Sequence, residues 1–407
     1  MRMDKKWKKR LYPMTYILIF ALTSAPVFLG YVMEGGAAVW LGRMREFRES
    51  FAGGVVLWFP TPGLVTVFGS QGMSFDNGVW LLPIVLLQML GVEEQTAYCI
   101  WMAILGVAAM GAAHWMMKAF FENRVTALSG VLLYMSCPYR IYIFFDRADM
   151  GQILVWVLTP LFIGGLARLR LKTRKKAPQG LIAAVAYAGI WYADARWGVL
   201  LGICAALYLL FWERRLSGLL FLAVGAALSL PAVIYLARYL LKGGMEVWDL
   251  PLGSIMEKGY TLGHFMTNWT YQPDMPGMGI AFIAALLLLI WFYWSGYGEE
   301  MPKAVKGLFL SAGALTAFSL RYFPWDYVQR IGAPFLRFVG LIETPGVFWM
   351  LANILFTVPA AWVVGEICKK QDTTIKWAIL VLLLMAALAT ALYLCNALTY
   401  THLPLRQ

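Results

Sequence analysis

Residues 79–124 read VWLLPIVLLQMLGVEEQTAYCIWMAILGVAAMGAAHWMMKAFFENR, two apolar runs joined by Gly91 and the Glu93-Glu94 pair. The second run, 96–117, has the roughly 20 residues needed to cross a bilayer. The first, 79–90, is too short for a comfortable span. If 79–90 stays at the surface, the 96–117 span ends beside Lys118 and Arg124. Every later basic cluster then falls on that same side of the membrane. If 79–90 crosses, each of those clusters changes side. Charge placement therefore selects a surface-lying helix at 79–90, and that choice sets the topology of the whole chain.

Working outward, the expected spans lie at 12–32, 96–117, 125–144, 150–167, 180–193, 197–211, 216–237, 278–295, 307–320, 346–367 and 376–396. They alternate with basic clusters at 168–176, Arg214-Arg215, Lys303 with Lys306, and Lys369-Lys370. Residues 1–10, MRMDKKWKKR, carry six Lys or Arg, and no small-residue cleavage pattern closes the apolar run behind them. This is the pattern of an uncleaved first span with a cytoplasmic N-terminus. The two intervals between 180 and 211 are short, which suits tilted or broken helices around a polar cleft. The expectation is an all-α polytopic membrane protein of about eleven spans, with the C-terminus outside. Residues 1–407 form one integral-membrane domain in this reading.

Composition agrees. The 407 residues are 61% hydrophobic and 14% charged, with mean hydropathy +0.66, too little charge to cover a soluble protein of this length. The formal charge of +12 is not a nucleic-acid signal, because its residues flank apolar runs and set orientation. Trp and Tyr in numbers of 18 and 20 fit interfacial belts and core packing. Cys99, Cys137, Cys204, Cys368 and Cys395 fall in or near apolar runs and read as small buried hydrophobes. No zinc spacing, phosphate loop or dinucleotide fingerprint is present in the sequence.

The polar segments expected outside are 33–77, within a first outer loop of 33–95, then 145–149, 194–196, 242–277 and 321–345. Met33, Ala37, Trp40, Leu41, Met44 and Phe47 recur at helical spacing and predict a helix lying on the membrane surface over 34–50. Gly53-Gly54, Pro60, Pro62 and Gly63 then stop regular structure. A carboxylate just beyond a span can act as a base toward an acceptor in water. It can equally hold a divalent cation with water and phosphate, or simply be solvated. Asp146-Arg147 and Asp194-Ala195-Arg196 sit in very short turns, so their positions are tightly fixed. Arginine there can grip a phosphate bidentately, or pair with its own aspartate. His264 lies beside Asn268, Trp269 and Tyr271 as a candidate substrate contact, whereas His114 lies inside a span.

The segment YMSCPYRIY at 134–142, followed by DRADMGQ at 146–152 and the run ending at Pro160-Leu161, resembles bacterial multi-pass membrane proteins of the YfhO-like kind. These include proteins labelled as related to 6-pyruvoyl-tetrahydropterin synthase. That family in turn resembles the GT-C glycosyltransferases, which use polyprenyl-phosphate sugars. The resemblance implies a GT-C-like fold in the bacterial plasma membrane, with a lipid-linked sugar and a cell-envelope acceptor as partners. It places Glu34 in the catalytic position just after the first span, assisted by Asp76. Among the substrate contacts it supplies Arg43 and Arg147, while Asp149, Arg196 and His264 are candidates from their own places in the outer turns and loops. The scheme admits a divalent cation without requiring one. The chain departs from the family pattern where relatives carry His before Arg43, Glu at Gln152 and Arg at Val347. Those departures keep two other classes open, a non-catalytic scaffold or assembly protein and a transporter of lipid-linked or small polar solutes. Paired inverted repeats would favour a transporter.

Overall fold

The computed structural model describes residues 5–28, 36–52, 78–170, 176–214, 216–239, 253–266, 275–296, 300–342, 344–370, 381–382, 385–387 and 389. All their regular structure is helical, apart from one isolated bridge between Tyr260 and Leu320. In chain order the helices are α1 (Lys5–Thr23), α2 (Ala25–Phe28), α3 (Gly36–Ala52), α4 (Leu82–Met89), α5 (Glu94–Phe120), α6 (Arg124–Met135) and α7 (Pro138–Ile141). Next come α8 (Met150–Arg168), α9 (Lys176–Ala193), α10 (Ala195–Leu207), α11 (Leu216–Leu228), α12 (Leu230–Tyr239) and α13 (Leu262–Met266). The last are α14 (Ile280–Trp294), α15 (Lys303–Ser319), α16 (Trp325–Val328), α17 (Ala333–Ile342) and α18 (Gly346–Lys370). Helix α7 widens into a π-turn, Tyr142–Asp146, and α10 into another, Tyr208–Glu213.

Among the described residues four helices are long and apolar enough to cross a membrane: Glu94–Phe120, Met150–Arg168, Ala195–Glu213 and Gly346–Lys369. The pair α6 and α7, bent by 48°, makes a fifth if it counts as one broken span. Shorter apolar helices occupy Pro13–Thr23, Leu216–Leu228 and Ile280–Trp294. The intervals 180–193 and 307–320 are helical at α9 and α15 but fall outside that group. The interval 216–237 is split at Ser229, two residues before Pro231, whose ring cannot donate a backbone hydrogen bond. At 79–90 the helix proper is α4, eight residues long. It rises about 12 Å, less than half of a bilayer core of roughly 30 Å. The interval 376–396 lies largely outside the described residues.

Helices α8 and α18 form the centre, with 78% and 89% of their apolar windows buried. Helix α8 packs on α5 and α9, and α18 packs on α15, α6 and α14. Adjacent glycines let α8 approach two neighbours at once. A Cβ on Gly164 would lie 2.9 Å from the Met116 backbone, and one on Gly165 would lie 2.9 Å from the Gln179 carbonyl oxygen. Small residues at such crossings replace the hydrophobic drive that helices lack inside lipid.

The contacts also sort the two ends of the bundle. Tyr98 and Asp149 are in electrostatic reach at one end, whereas Arg168 donates to the Trp115 carbonyl at the other, 2.9 Å away. Helices α5 and α8 are thus parallel. Gln179 at the start of α9 lies beside Gly165, so α9 returns to the Asp149 end. Lys118, Arg168, Arg170, Arg214, Lys303 and Lys369 gather at one end of these helices. The turns holding Asp149, Asp194 and Tyr260 gather at the opposite end.

Candidate functional site

The 134–142 segment builds one wall of the site. Ser136 ends α6, and Pro138, which has no N–H to donate, opens α7 after the bend. Within this break the Arg140 side chain is wholly buried. Its Nη1 donates to the carbonyls of Thr23 at 2.7 Å and Met135 at 3.1 Å, and its Nη2 donates to Ser24 Oγ at 3.2 Å. The guanidinium also lies over the Phe144 ring, 4.6 Å from its centroid. Thr23 is the last residue of α1, so its carbonyl has no partner within the helix and carries the negative end of the helix dipole. Arg140 thereby ties the first helix to the broken span. An ionisable residue inside an apolar run was the signal for it, yet the candidates chosen from the sequence were all in outer turns.

Proline shapes the second wall. Pro160, inside α8, cannot donate to the carbonyl four residues earlier, that of Trp156. The Tyr134 hydroxyl donates to that carbonyl instead. The Tyr134 ring stacks on Trp156 with centroids 4.9 Å apart, and Tyr139 stacks on the same indole.

On these walls stand two short turns. After the π-turn come Arg147 and Ala148, the latter at φ 49°, in the left-handed region that L-residues rarely adopt. Asp149 then caps α8, accepting from the Gln152 amide at 3.1 Å and from Gln152 Nε2 at 3.0 Å. Asp194 caps α10 in the same way, accepting from the Arg196 amide at 2.9 Å. The two arginines differ. Arg196 grips Asp194 with two nitrogens, the closer at 2.8 Å, and the side chains are 14% and 0% exposed. Arg147 lies 3.6 Å from Asp149, too far for a hydrogen bond, and is 47% exposed. The two guanidinium groups are close enough to repel each other, and Tyr139 and Tyr142 lie within reach of Arg147. Burial works against the Arg147 charge, but Asp149 and then the tyrosines outweigh it, raising its pKa above the ordinary value.

A third wall comes from residues 253–266 and 320–332. Asp326 accepts from Ser254 Oγ at 2.7 Å and from the Ile255 and Met256 amides at 2.9 and 3.3 Å. Tyr260 exchanges backbone hydrogen bonds with Ser319 and Arg321. Gly259 permits that approach, because a Cβ there would lie 2.6 Å from the Arg321 backbone. Tyr260 itself is buried and in electrostatic reach of Tyr139 and Tyr142. Burial raises the Asp326 pKa, but these hydrogen bonds, aided by Arg330, outweigh it and hold the group below its ordinary value of 3.8. Asp326 falls in the 321–345 segment expected outside, where the sequence does not set it apart from other loop charges.

The structure therefore brings Arg147, Asp149 and Arg196 together. His264 stands one residue layer away, edge-on to Tyr260 with centroids 6.1 Å apart. Its Nδ1 accepts from the Thr261 amide at 3.2 Å, which closes its own turn. Arg43 lies over Trp40 of its own helix, 4.7 Å from the ring centroid. That helix, α3, docks on α4, and Arg45 reaches Glu94 at 3.0 Å at the start of α5. Glu34 and Asp76 lie outside the described residues. His114 is hydrogen-bonded to the Tyr16 hydroxyl at 2.6 Å. Among the described residues no three His, Cys, Asp or Glu side chains group closely enough to hold a metal. Asp149 and Asp194 are both engaged as helix caps.

Composition, long apolar helices and paired charged turns define the class: an all-α, multi-pass membrane protein. No family model matches the chain, and neither a curated protein nor a solved structure matches it.

Proposed function

We propose that this protein is a GT-C-like glycosyltransferase of the bacterial plasma membrane, of about eleven spans. In this reading it moves a sugar from a polyprenyl-phosphate donor to a cell-envelope acceptor. The basic end of the bundle is cytoplasmic by the positive-inside tendency, and the chain starts inside and ends outside. The Arg147–Arg196 turns then face outward, with α3 and α4 lying at that surface. One observation carries the reading: two arginines converge on adjacent tight turns, and one of them stands partly open. Arg147 takes the donor phosphate, for which a planar guanidinium is well shaped. Arg196, held by Asp194, contributes field and rigidity. Glu34, assisted by Asp76, takes the proton of the acceptor hydroxyl as the sugar moves and the lipid phosphate leaves.

The test is release of radiolabelled sugar from a polyprenyl-phosphate donor by purified protein, matched for folded amount and run with and without a divalent cation. Glu34→Gln should lower transfer by about 100-fold, the scale of acid-base assistance. Arg147→Ala should instead raise the donor concentration needed for half-maximal rate, because a phosphate grip acts on binding. Absence of transfer by the parent protein with any donor would favour the scaffold reading. Equal turnover by parent and Glu34→Gln would remove Glu34 from the mechanism.

A further inference from the structure

An apolar cavity opens at the basic end of the bundle and runs along α15 as far as Phe318. Its volume is about 490 Å³, within the range of small-molecule sites. Phe162, Ile163, Leu201, Leu308, Leu351 and Leu355 supply much of its lining. The cavity opens sideways. Leu207, Phe211 and Leu310 line it and are 50%, 75% and 50% exposed, so in a bilayer it communicates with lipid hydrocarbon. Its polar residues gather at one mouth. There Arg170 Nη2 donates to Glu213 at 2.6 Å and to the Tyr208 hydroxyl at 2.9 Å. Trp212 Nε1 donates to the Lys303 carbonyl at 3.0 Å, closing the mouth against α15.

The mouth owes its shape to the π-turn at Tyr208–Glu213, which widens α10 just where Tyr208 and Glu213 meet Arg170. Such bulges recur at functional sites. The turn stops on Arg214, at φ 52°. Gly307 lets α15 lie directly on the Trp212 ring. Beyond the paired Arg170 and Glu213, the elements framing the mouth carry Arg214, Lys303 and Lys306 against Glu300, while Arg168 is held on Trp115. Positive charge beside an apolar slot that opens toward lipid matches one kind of partner, an anionic amphiphile.

We propose that this cavity binds one anionic glycerophospholipid from the leaflet at the basic end. An acyl chain lies in the apolar slot, and the phosphate lies at the rim of Arg214, Lys303 and Lys306. The site is separate from the Arg147–Arg196 turns and does not rest on the transferase reading. Its lipid plugs the gap between α8, α10, α15 and α18.

The test is native mass spectrometry of delipidated protein in mild detergent. It is titrated with phosphatidylglycerol, with phosphatidylcholine of matched chains, with polyprenyl phosphate, and with inorganic phosphate alone. Phosphatidylglycerol should be retained about tenfold more tightly than phosphatidylcholine, and inorganic phosphate should not protect the protein from heat. Ala314→Phe places a ring in the slot from an exposed lining position. It should weaken phosphatidylglycerol retention by about tenfold while circular dichroism and elution stay unchanged. The triple change Arg214→Gln, Lys303→Gln, Lys306→Gln removes the proposed phosphate-binding charge beside the mouth and should bring the two phospholipids to near parity. Equal retention of both phospholipids by the parent would overturn the proposal. So would phosphatidylglycerol binding untouched by Ala314→Phe, or retention of polyprenyl phosphate alone.

Discussion

At both ends of the bundle a helix widens into a π-turn and then meets a non-glycine residue in the left-handed region, Ala148 at one end and Arg214 at the other. Beside each turn stands an arginine with a carboxylate. At the basic end Arg170 and Glu213 are 2.6 Å apart and partly buried, and a tyrosine shares the bond. At the other end Arg147 and Asp149 are 3.6 Å apart, with the arginine half exposed. The same local device thus produces a closed rim in one place and an open cation in the other. What differs is the neighbouring carboxylate. Glu213 is spent on Arg170, whereas both Asp149 oxygens are taken by Gln152, one by its amide and the other by its Nε2. Arg196 provides the internal control, since it lies near Arg147 yet is locked onto a fully buried aspartate.

The sharpest way to break this comparison is to remove each arginine in turn. Arg196→Ala strands the Asp194 charge in the interior and should cost about 3–5 kcal/mol of stability. Arg147→Ala, from a half-exposed and loosely paired position, should cost less than about 1 kcal/mol. Denaturation of both variants in matched micelles checks this, and equal losses would erase the distinction between locked and open arginine.

Next in size is the packing that holds the two ends at fixed separation. Gly165→Ala puts a methyl group against the α9 backbone and should cost about 1–3 kcal/mol, the usual range for overpacking. Gly313→Ala, with open space around a mid-helix position, should instead gain up to about 0.5–1 kcal/mol. A thermal melt in which the two substitutions behave alike would count against the close α8–α9 crossing.

A smaller effect is expected at Ala148. Glycine there relieves the left-handed strain, worth about 1–2 kcal/mol. It also adds freedom to the unfolded chain, worth about 0.5–1 kcal/mol. Ala148→Gly should therefore raise stability by at most about 1.5 kcal/mol. Clear destabilisation would mean that the turn is not left-handed.

The smallest expected effect is at the Asp326 clip, where pH does the work. Its folded pKa is depressed, so its contribution is present above the unfolded value near 3.9 and is lost as pH falls through the folded value. Amide exchange at Ile255 and Met256, corrected for intrinsic rate, should stay slow from pH 7 to about 5 and quicken in strong acid. Asp326→Asn should remove that acid dependence. An unchanged acid response in the variant would assign it to another group.

Much of this was legible in the chain itself. Long apolar runs flanked by Lys and Arg declare membrane helices because lipid admits backbone polar groups only when they bond within the segment. The same charges separated the two ends. The run at 79–90 is itself short for a span, and the corresponding helix, α4, has eight residues. Asp149 and Asp194 stood out in the chain as charges in very short turns, and the structure shows that each caps the helix that follows. Only the tertiary structure decided which arginine is open and which is locked, because pairing distance and burial depend on how turns remote in sequence are held together. It also found Arg140 bonded to the end of α1, more than a hundred residues earlier. It found the Tyr134 hydroxyl serving the carbonyl that Pro160 leaves unpaired. It revealed the apolar slot at the basic end as well, since a slot is space left between helices, and one-dimensional periodicity records faces and not gaps.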